Sequence, residues 1–566
     1  MVQAQPSKRL RVTVIDAGVS GILMGIKILQ QKHLPQHIDF HIYEKSPEIG
    51  GTWFENRYPG CACDVPSHLY QYSFAPNTEW SMFYATSSEI QSYLKAVVKQ
   101  YNLNPHISLN SPVIIAVWNQ ERGTWTVTVQ SQNQNHGPRT LDSEILINAG
   151  GSLNHPQMPD FRGLDTFAGP VLHTAAWDDT VDLAGKRIAI IGAGTSAVQL
   201  LPEVQKVAEH VDIYIRTPSW ISPPVPLPPS ISKGHVYSEA EKQDFREDKE
   251  GYLAMRKGLE NQFNGMFRAF EKLIPKFEAG CRRVNPGEEY LLALQEENVR
   301  PIFDSIREIM REGVVMDDNS TNPGEILIAA TGFNTSFRSR FPIIGLDRIN
   351  LQDVWETNPT SYFGIAVAGF PNYLMFLGPN TPISNGSLMA TSAYITRLLL
   401  KTVRENIHSF TIKPSAQADF NAHTQSYMGD MVWTGSCRSW YKNNVTSKIT
   451  ALWPGSSLHY MQVLAEDRWE DFEWQYTGNR FGYWGRGISW VEDLAGEVDC
   501  LGREGKGAKE ASVVPGVQGV GDLSFYLVQG EALPVSLASS SSSPLAQGGQ
   551  GDEERDRDDV NMQARL

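Results

Sequence analysis

The chain has 566 residues, which at roughly 150 residues per domain corresponds to about three or four domains. Hydrophobic residues make up 41% and charged residues 20%, an ordinary globular balance that excludes a collagen-like, wholly disordered or small disulfide-stapled chain. The formal net charge of −14 disfavours nonspecific nucleic-acid binding, which runs on Lys and Arg neutralising phosphates, but leaves room for a local basic pocket around one phosphate.

The N-terminus leads straight into a strand pattern and lacks the apolar stretch of a signal peptide. No run of about 18 apolar residues exists, so no membrane helix is expected and a cytoplasmic protein is the default. The five cysteines, Cys61, Cys63, Cys281, Cys437 and Cys500, are odd in number and scattered, which fits a reducing compartment. A lone C-x-C is a poor zinc signal, and no metal site is expected.

Residues 9–15 read as a buried strand, followed by a glycine-containing turn at 16–21, a helical pattern, and a second strand, IDFHIYE, ending at Glu44. This order opens a parallel α/β sheet. The same grammar returns at KRIAII (186–191), GAGTSA (192–197), a helical pattern, and VDIYIRT. Residues 218–235 are proline-rich and read as a rigid loop, and 236–275 as helical and charged. ILIAATGF, ending at Phe333, reads as a strand entering a turn, residues 363–379 as a strand pair, and 391–406 as a helix. The serine- and charge-rich stretch 530–566 has a disordered composition.

The second glycine turn is the cleaner of the two. Gly192 and Gly194 allow a tight turn, and with Thr195 and Ser196 they place backbone N–H groups at a helix N-terminus, where a pyrophosphate binds. Arg216 and Thr217 stand at the end of the next strand; an Arg there suits the 2′-phosphate of NADP, the lesser alternative being a surface salt bridge. In the first turn Gly18, Ser20 and Gly21 fit the pattern, and Glu44 stands where a carboxylate accepts ribose hydroxyls, unless it is merely an exposed strand-end acid. Asp16 takes the place of the first glycine. It adds a Cβ where a tight turn wants none and a carboxylate beside two phosphates. Residues 50–74, with Gly51, Thr52, Trp53, Asp64 and Tyr70, are too dense in glycine, proline and aromatics for a plain loop. Residues 167–178 spell F-x-G-x-x-x-H-x-x-x-W-D around His173; a lone histidine beside aromatics is more often structural than catalytic.

Taken together, the two glycine turns, GGTW at 50–53, NRYPG at 56–60, the 167–178 fingerprint, GCRR at 280–283, ATGF at 330–333 and GFPNYLMFLGPN at 370–381 resemble class B flavoprotein monooxygenases, specifically Baeyer–Villiger monooxygenases of the fungal secondary-metabolism branch. The resemblance covers roughly residues 9–500. It implies an α/β fold with two Rossmann-like dinucleotide-binding domains, the FAD domain being discontinuous and the NADP domain inserted in it. The expected boundaries are 1–165 for the first FAD part, 166–345 for the NADP domain with a helical insertion about 236–300, 346–529 for the second FAD part, and 530–566 for a disordered tail.

The activity implied is Baeyer–Villiger oxidation. NADPH would reduce FAD, O₂ would give a C4a-peroxyflavin, and a ketone, on the branch resemblance polyketide-derived, would become an ester or lactone. The partners are then a small-molecule ketone and O₂, with no nucleic acid and no membrane. Residue by residue, Arg283 matches the family's active-site arginine, which would stabilise anionic flavin, and Asp64 its aspartate partner. Arg282 matches a position that helps hold the NADP phosphate, and His173 the fingerprint histidine that couples the two nucleotide halves. The flavin contacts implied are Gly18, Ser20, Gly21, Glu44, Gly51, Thr52, Trp53, Asp64 and Tyr70.

Two departures from the family stand out. Asp16 implies weakened or lost FAD binding, and 299–325 looks short enough to lack a β-hairpin. Three other readings stay open: oxygenation at nitrogen or sulfur, a degenerate homologue that no longer holds FAD, and a flavin disulfide reductase. The last is disfavoured because Cys61 and Cys63 are poorly spaced for a disulfide.

Overall fold

The computed structural model describes residues 9–484 except 33, 131–136, 218, 220, 223–234, 274–284, 436–438 and 444. Arg282, Arg283 and the 530–566 tail therefore lie outside the described residues. The described residues up to Thr477 form one compact unit, and the described part of a second unit, which begins at Gly478, holds a short 3-10 turn, Gly482–Trp484.

The architecture grows from two runs of β-branched residues. In the first strand, Leu10–Ile15, Val12, Thr13 and Val14 are buried, as expected for a central parallel strand covered on both faces. The helix Val19–Gln30 follows, and its Ile22, Leu23, Met24, Ile26 and Ile28 are almost completely enclosed. Each such side chain contributes roughly 1.5–3 kcal/mol by leaving water. This helix packs against the long helix Asn385–Arg404. The first sheet has five parallel strands in the order Tyr373–Met375, Ile145–Asn148, Leu10–Ile15, Ile38–Tyr43 and Ile107–Ser108.

The second sheet is also five-stranded and parallel: Val299–Ile302, His210–Tyr214, Arg187–Ile191, Ile326–Ala329 and Val171–His173. All its strands fall between Ile145–Asn148 and Tyr373–Met375 in the chain, so this sheet is inserted within the first. In each sheet the carboxyl ends are in register. Ile15 pairs with Tyr43 and Asn148, and Ile191 with Tyr214 and Ala329, which in turn pairs with His173. Ligands of open α/β sheets bind outside such carboxyl ends, where strand order reverses.

Two expectations need correction. Residues 299–325 do not lack a hairpin: Ile306–Met310, Gly313–Met316 and Thr321–Pro323 form an antiparallel meander, turned at Asn319 with φ +68°. Within 363–379 only Tyr373–Met375 is a strand, because Phe363, Gly364, Gly369, Asn372 and Leu377 all have positive φ and interrupt the ladder. The stretch about 236–300 holds the helices Glu239–Glu247, Lys249–Leu273 and Glu288–Ala293, and Val299 begins a strand of the second sheet.

Candidate active site

The first glycine turn leaves the first strand at Asp16. The residue is buried and holds φ +83°, a conformation natural to glycine. Its Oδ1 accepts the Gly18 N–H at 2.8 Å. The first helix starts just beyond, and its earliest bond runs from the Ile22 N–H to the Gly18 carbonyl. The amides of Val19, Ser20 and Gly21 therefore point out of the helix N-terminus, as the first turn of any helix requires. Gly21 seats the helix tightly, since a Cβ there would lie 2.0 Å from the Asp16 carbonyl. A Cβ on Gly51 would come within 3.0 Å of the Gly18 Cα, so the two glycines form a close backbone cradle. The Asp16 carboxylate lies in its mouth, 3.1 Å from where a Gly18 Cβ would stand and 3.5 Å from a Gly51 Cβ.

Glu44, fully buried, faces the same turn. Its Oε2 accepts the Ala17 N–H at 2.7 Å and its Oε1 the Ser46 N–H at 2.8 Å, so its charge organises the backbone. Burial and the Glu44 charge push the Asp16 carboxyl up to about 7, opposed by Arg340, the Gly18 amide and Lys45. A cavity of about 280 Å³ opens here, lined among others by Asp16, Lys45, Asn148, Gly150, Asn154 and Arg340.

The 50–74 stretch joins the two sheets. Thr52 starts the short helix Thr52–Glu55, and buried Trp53 donates its Nε1–H to the Tyr70 hydroxyl at 3.0 Å with the rings edge to face. Buried Tyr58 donates to Gln199 Oε1 at 2.7 Å, and the Gln199 amide donates to the Ala62 carbonyl at 2.9 Å. Arg57 pairs with Asp179 at 3.0 Å. Asp64 is half-buried, and its charge adds to the burial that pushes up the phenols of Tyr58 and Tyr84.

The second glycine turn has the geometry its sequence suggests. Gly192 holds φ +119°, and a Cβ there would lie 2.4 Å from the Ala330 carbonyl. A Cβ on Gly194 would meet open space, so the start of the helix Thr195–Val204 is accessible. The Thr195 hydroxyl donates to Asn285 Oδ1 at 2.6 Å, Ser196 lies on the first helical turn, and Arg216 and Thr217 are exposed beyond the adjacent strand. His173 ends the strand Val171–His173 and is 3% exposed. Its Nδ1 accepts the Ala175 N–H at 3.0 Å, which leaves the ring hydrogen on Nε2 in the neutral form. Nε2 has no partner at bonding geometry, although the backbone of Gly332 and Gln157 lies near enough to offset part of the lowering that burial imposes on the imidazole pKa.

The comparisons with known proteins decide the family. Residues 9–226 match the flavin-binding monooxygenase-like family model. The chain is 37% identical over 551 residues to the FAD-binding monooxygenase moxY of Dothistroma septosporum, an alignment covering 90% of this chain and 85% of that protein. It is 31% identical to a Baeyer–Villiger monooxygenase of Streptomyces coelicolor, covering 81% and 91%. The crystal structure of cyclohexanone monooxygenase from Rhodococcus sp. Phi1 bound to NADP+ superposes with a TM-score of 0.69 at 25% identity, covering 83% of this chain and all of that one. The chain belongs to the FAD-binding Baeyer–Villiger-type monooxygenases.

Within this monooxygenase the structure brings together Gly18, Ser20, Gly21, Glu44 and Gly51 at one turn, Trp53 with Tyr70, and Gly192 to Ser196 at the other turn. Lys45, Arg340 and Gln199 were missed by sequence reasoning. Gln199 carried a usable signal, since it lies one helical turn beyond Thr195 on the polar side of the pattern. Arg340 carried none: it sits in an irregular loop seven residues after Phe333 and donates to Asn154 Oδ1 at 3.0 Å.

Proposed function

We propose that this monooxygenase converts a hydrophobic ketone, O₂, NADPH and a proton into an ester or lactone, NADP+ and water. The resemblance to the fungal secondary-metabolism branch supports a polyketide-derived ketone as substrate. Residues 1–165 and 346–529 would form the FAD domain and 166–345 the NADP domain. The reduced buried thiols of Cys61 and Cys63 support a cytoplasmic setting, and among the described residues no helix is long and apolar enough to cross a membrane.

FAD and NADP fit the residues present. The amides of Val19 to Gly21, the Gly18–Gly51 cradle and the cavity beside them suit a flavin dinucleotide, with Trp53 and Tyr70 offering aromatic surface. Open space at Gly194 and the exposed Arg216 suit a 2′-phosphorylated nicotinamide dinucleotide. When bound, FAD supplies two-electron transfer and the activation of O₂. The protein's part is to hold the two nucleotides in reach of each other. Asp64 would position the active-site arginine, Arg283, and Arg282 would add charge for the NADP phosphate.

The observation that carries this reading is the place of His173. It stands beneath the crossing of the two chain connections between the sheets, where the Gln157 N–H donates to the Gly332 carbonyl at 2.9 Å and Pro156 bridges Phe333. A buried neutral ring there can set the position of both connections without acting as an acid or base.

The test is anaerobic addition of NADPH to the flavin-loaded full chain, followed by ¹⁸O₂ and a ketone panel. Bleaching of the flavin and an ester carrying one labelled oxygen are expected. Conversion of a thioether with no ester from any ketone would favour heteroatom oxygenation instead. Equal bleaching by NADH would remove the 2′-phosphate role of Arg216.

A further inference from the structure

The strongest unexplained feature of the fold is a buried pair of carboxylates at the turn meant for a pyrophosphate. Asp16 sits in the mouth of the Gly18–Gly51 cradle and already bonds the Gly18 amide, while Glu44 holds the amides of Ala17 and Ser46. An anion therefore sits in the mouth of the cradle, on the Gly18 amide, next to the helix N-terminus whose outward amides of Val19 to Gly21 would draw a phosphate. We infer that the Asp16 carboxylate acts as an internal competitor of the FAD pyrophosphate, and that the flavin is taken up together with one proton, which neutralises Asp16. This rests on the reading of the first sheet as the FAD site.

The charge balance around Asp16 supports it. From the end of the strand Ile38–Tyr43 come the Glu44 charge and Lys45, and Lys45 is itself engaged by Glu55 of the short helix after Gly51. Arg340 comes from the loop beyond Phe333, and His155 lines the same cavity from the connection after Ile145–Asn148. Arg340 and Lys45 favour the ionised form of Asp16, but burial and Glu44 outweigh them and push its carboxyl up to about 7. Adding a pyrophosphate to this turn adds further negative charge, which raises the proton affinity of Asp16 again. The step balances simply: one proton moves from solvent to the Asp16 carboxylate, no bond of FAD changes, and the Gly18 amide is released toward the phosphate.

The geometry separates charge from shape. Asn in place of Asp16 keeps the outline and tolerates the positive φ, whereas Gly removes both the charge and the Cβ at a site whose φ suits it.

The experiment is FAD titration of the flavin-free full-length chain, as wild type, Asp16→Asn and Asp16→Gly, from pH 6 to 9, followed by fluorescence quenching. Calorimetry in buffers of different ionisation enthalpy counts the protons taken up. For wild type the FAD Kd is expected to rise toward tenfold per pH unit above about pH 7, with close to one proton absorbed per flavin at pH 8.5. Both variants should bind FAD at least tenfold more tightly than wild type at pH 8.5, with no pH slope and no proton uptake. Wild-type binding that is pH-independent, or a slope that persists in both variants, would overturn the inference while leaving the FAD site standing. Absence of flavin binding by all three proteins at every pH, with circular dichroism showing them folded, would overturn the inference and the FAD reading together.

Discussion

At the scale of single residues, two backbone positions at the ends of the first strands show how one Cβ decides a site. Asp16 has a raised folded-state proton affinity, so between about pH 4 and 7 the folded protein binds a proton that the unfolded chain has lost. Stability therefore falls as pH rises through that window, and the whole penalty is present above it. Asp16→Asn removes the penalty. We expect the flavin-free variant to be more stable than wild type at pH 8 by about 2 kcal/mol or more, a tenfold change in proton affinity being about 1.4 kcal/mol, and the gain to shrink toward zero at pH 4. Urea melts at both pH values check this, and a gain independent of pH would refute it. Gly192 is the converse case, a glycine kept for cause. Its φ of +119° and the 2.4 Å approach of a built Cβ to the Ala330 carbonyl leave no room for alanine without moving the backbone. Gly192→Ala should cost about 1–3 kcal/mol and weaken NADP+ binding. The flavin absorbance of the same protein should be unchanged, because the first turn is untouched.

At the scale of elements, the contact that matters is between the 50–64 loop and the helix Thr195–Val204. Tyr58, Gln199 and the Ala62 carbonyl form a buried relay, and a Cβ on Gly60 would fall 2.4 Å from the Gln199 carbonyl. The Tyr58 phenol stays protonated well beyond the working range because burial raises its pKa, so this pin does not titrate. Tyr58→Phe leaves the Gln199 oxygen without its donor, at a cost of about 1–3 kcal/mol. The expected outcome in stopped flow is a slower reduction of flavin by NADPH at an unchanged FAD affinity; an equal loss of FAD affinity would show the loop serves only the flavin side. None of this relay was legible in the sequence, because its partners are 141 residues apart and no local pattern links them. The parallel strands were legible for the opposite reason. Val12 to Ile15, β-branched throughout, and the apolar Ile188 to Ile191 are runs ending in glycine-containing turns, and burial on both faces of a parallel strand favours that signature. The meander at 306–323 escaped notice because its strands Ile306–Met310 and Thr321–Pro323 carry the exposed polar residues Arg307 and Thr321 among the apolar ones, leave the apolar Met310 exposed, and are too short to show an alternation. The strand pair expected in 363–379 failed because five positive-φ residues, three of them not glycine, break the chain direction there.

At the scale of the whole first unit, two sheets are joined by two chain connections that clasp each other. The Gln157 N–H bonds the Gly332 carbonyl, the Thr331 hydroxyl donates to the Gln157 carbonyl at 2.5 Å, and Arg340 reaches back to Asn154. A change in the angle between the sheets would act on this clasp, and His173 is the side chain buried beneath it. The Ala175 amide depends on its Nδ1, so His173→Ala would strand a buried donor at a cost of about 1–3 kcal/mol. His173→Asn can keep an acceptor for that amide while removing the far nitrogen. If His173 transmits the position of one connection to the other, the Asn variant should fold and bind both nucleotides with near wild-type affinity. It should nevertheless reduce its flavin at least tenfold more slowly, which corresponds to about 1.4 kcal/mol of lost coupling. Because burial lowers the His173 pKa, the ring is already neutral at pH 7, and the wild-type reduction rate should show no histidine step above pH 6.5. A reduction rate in His173→Asn equal to wild type would confine this histidine to holding the Ala175 turn, and the coupling would then have to run through the Tyr58–Gln199 relay alone.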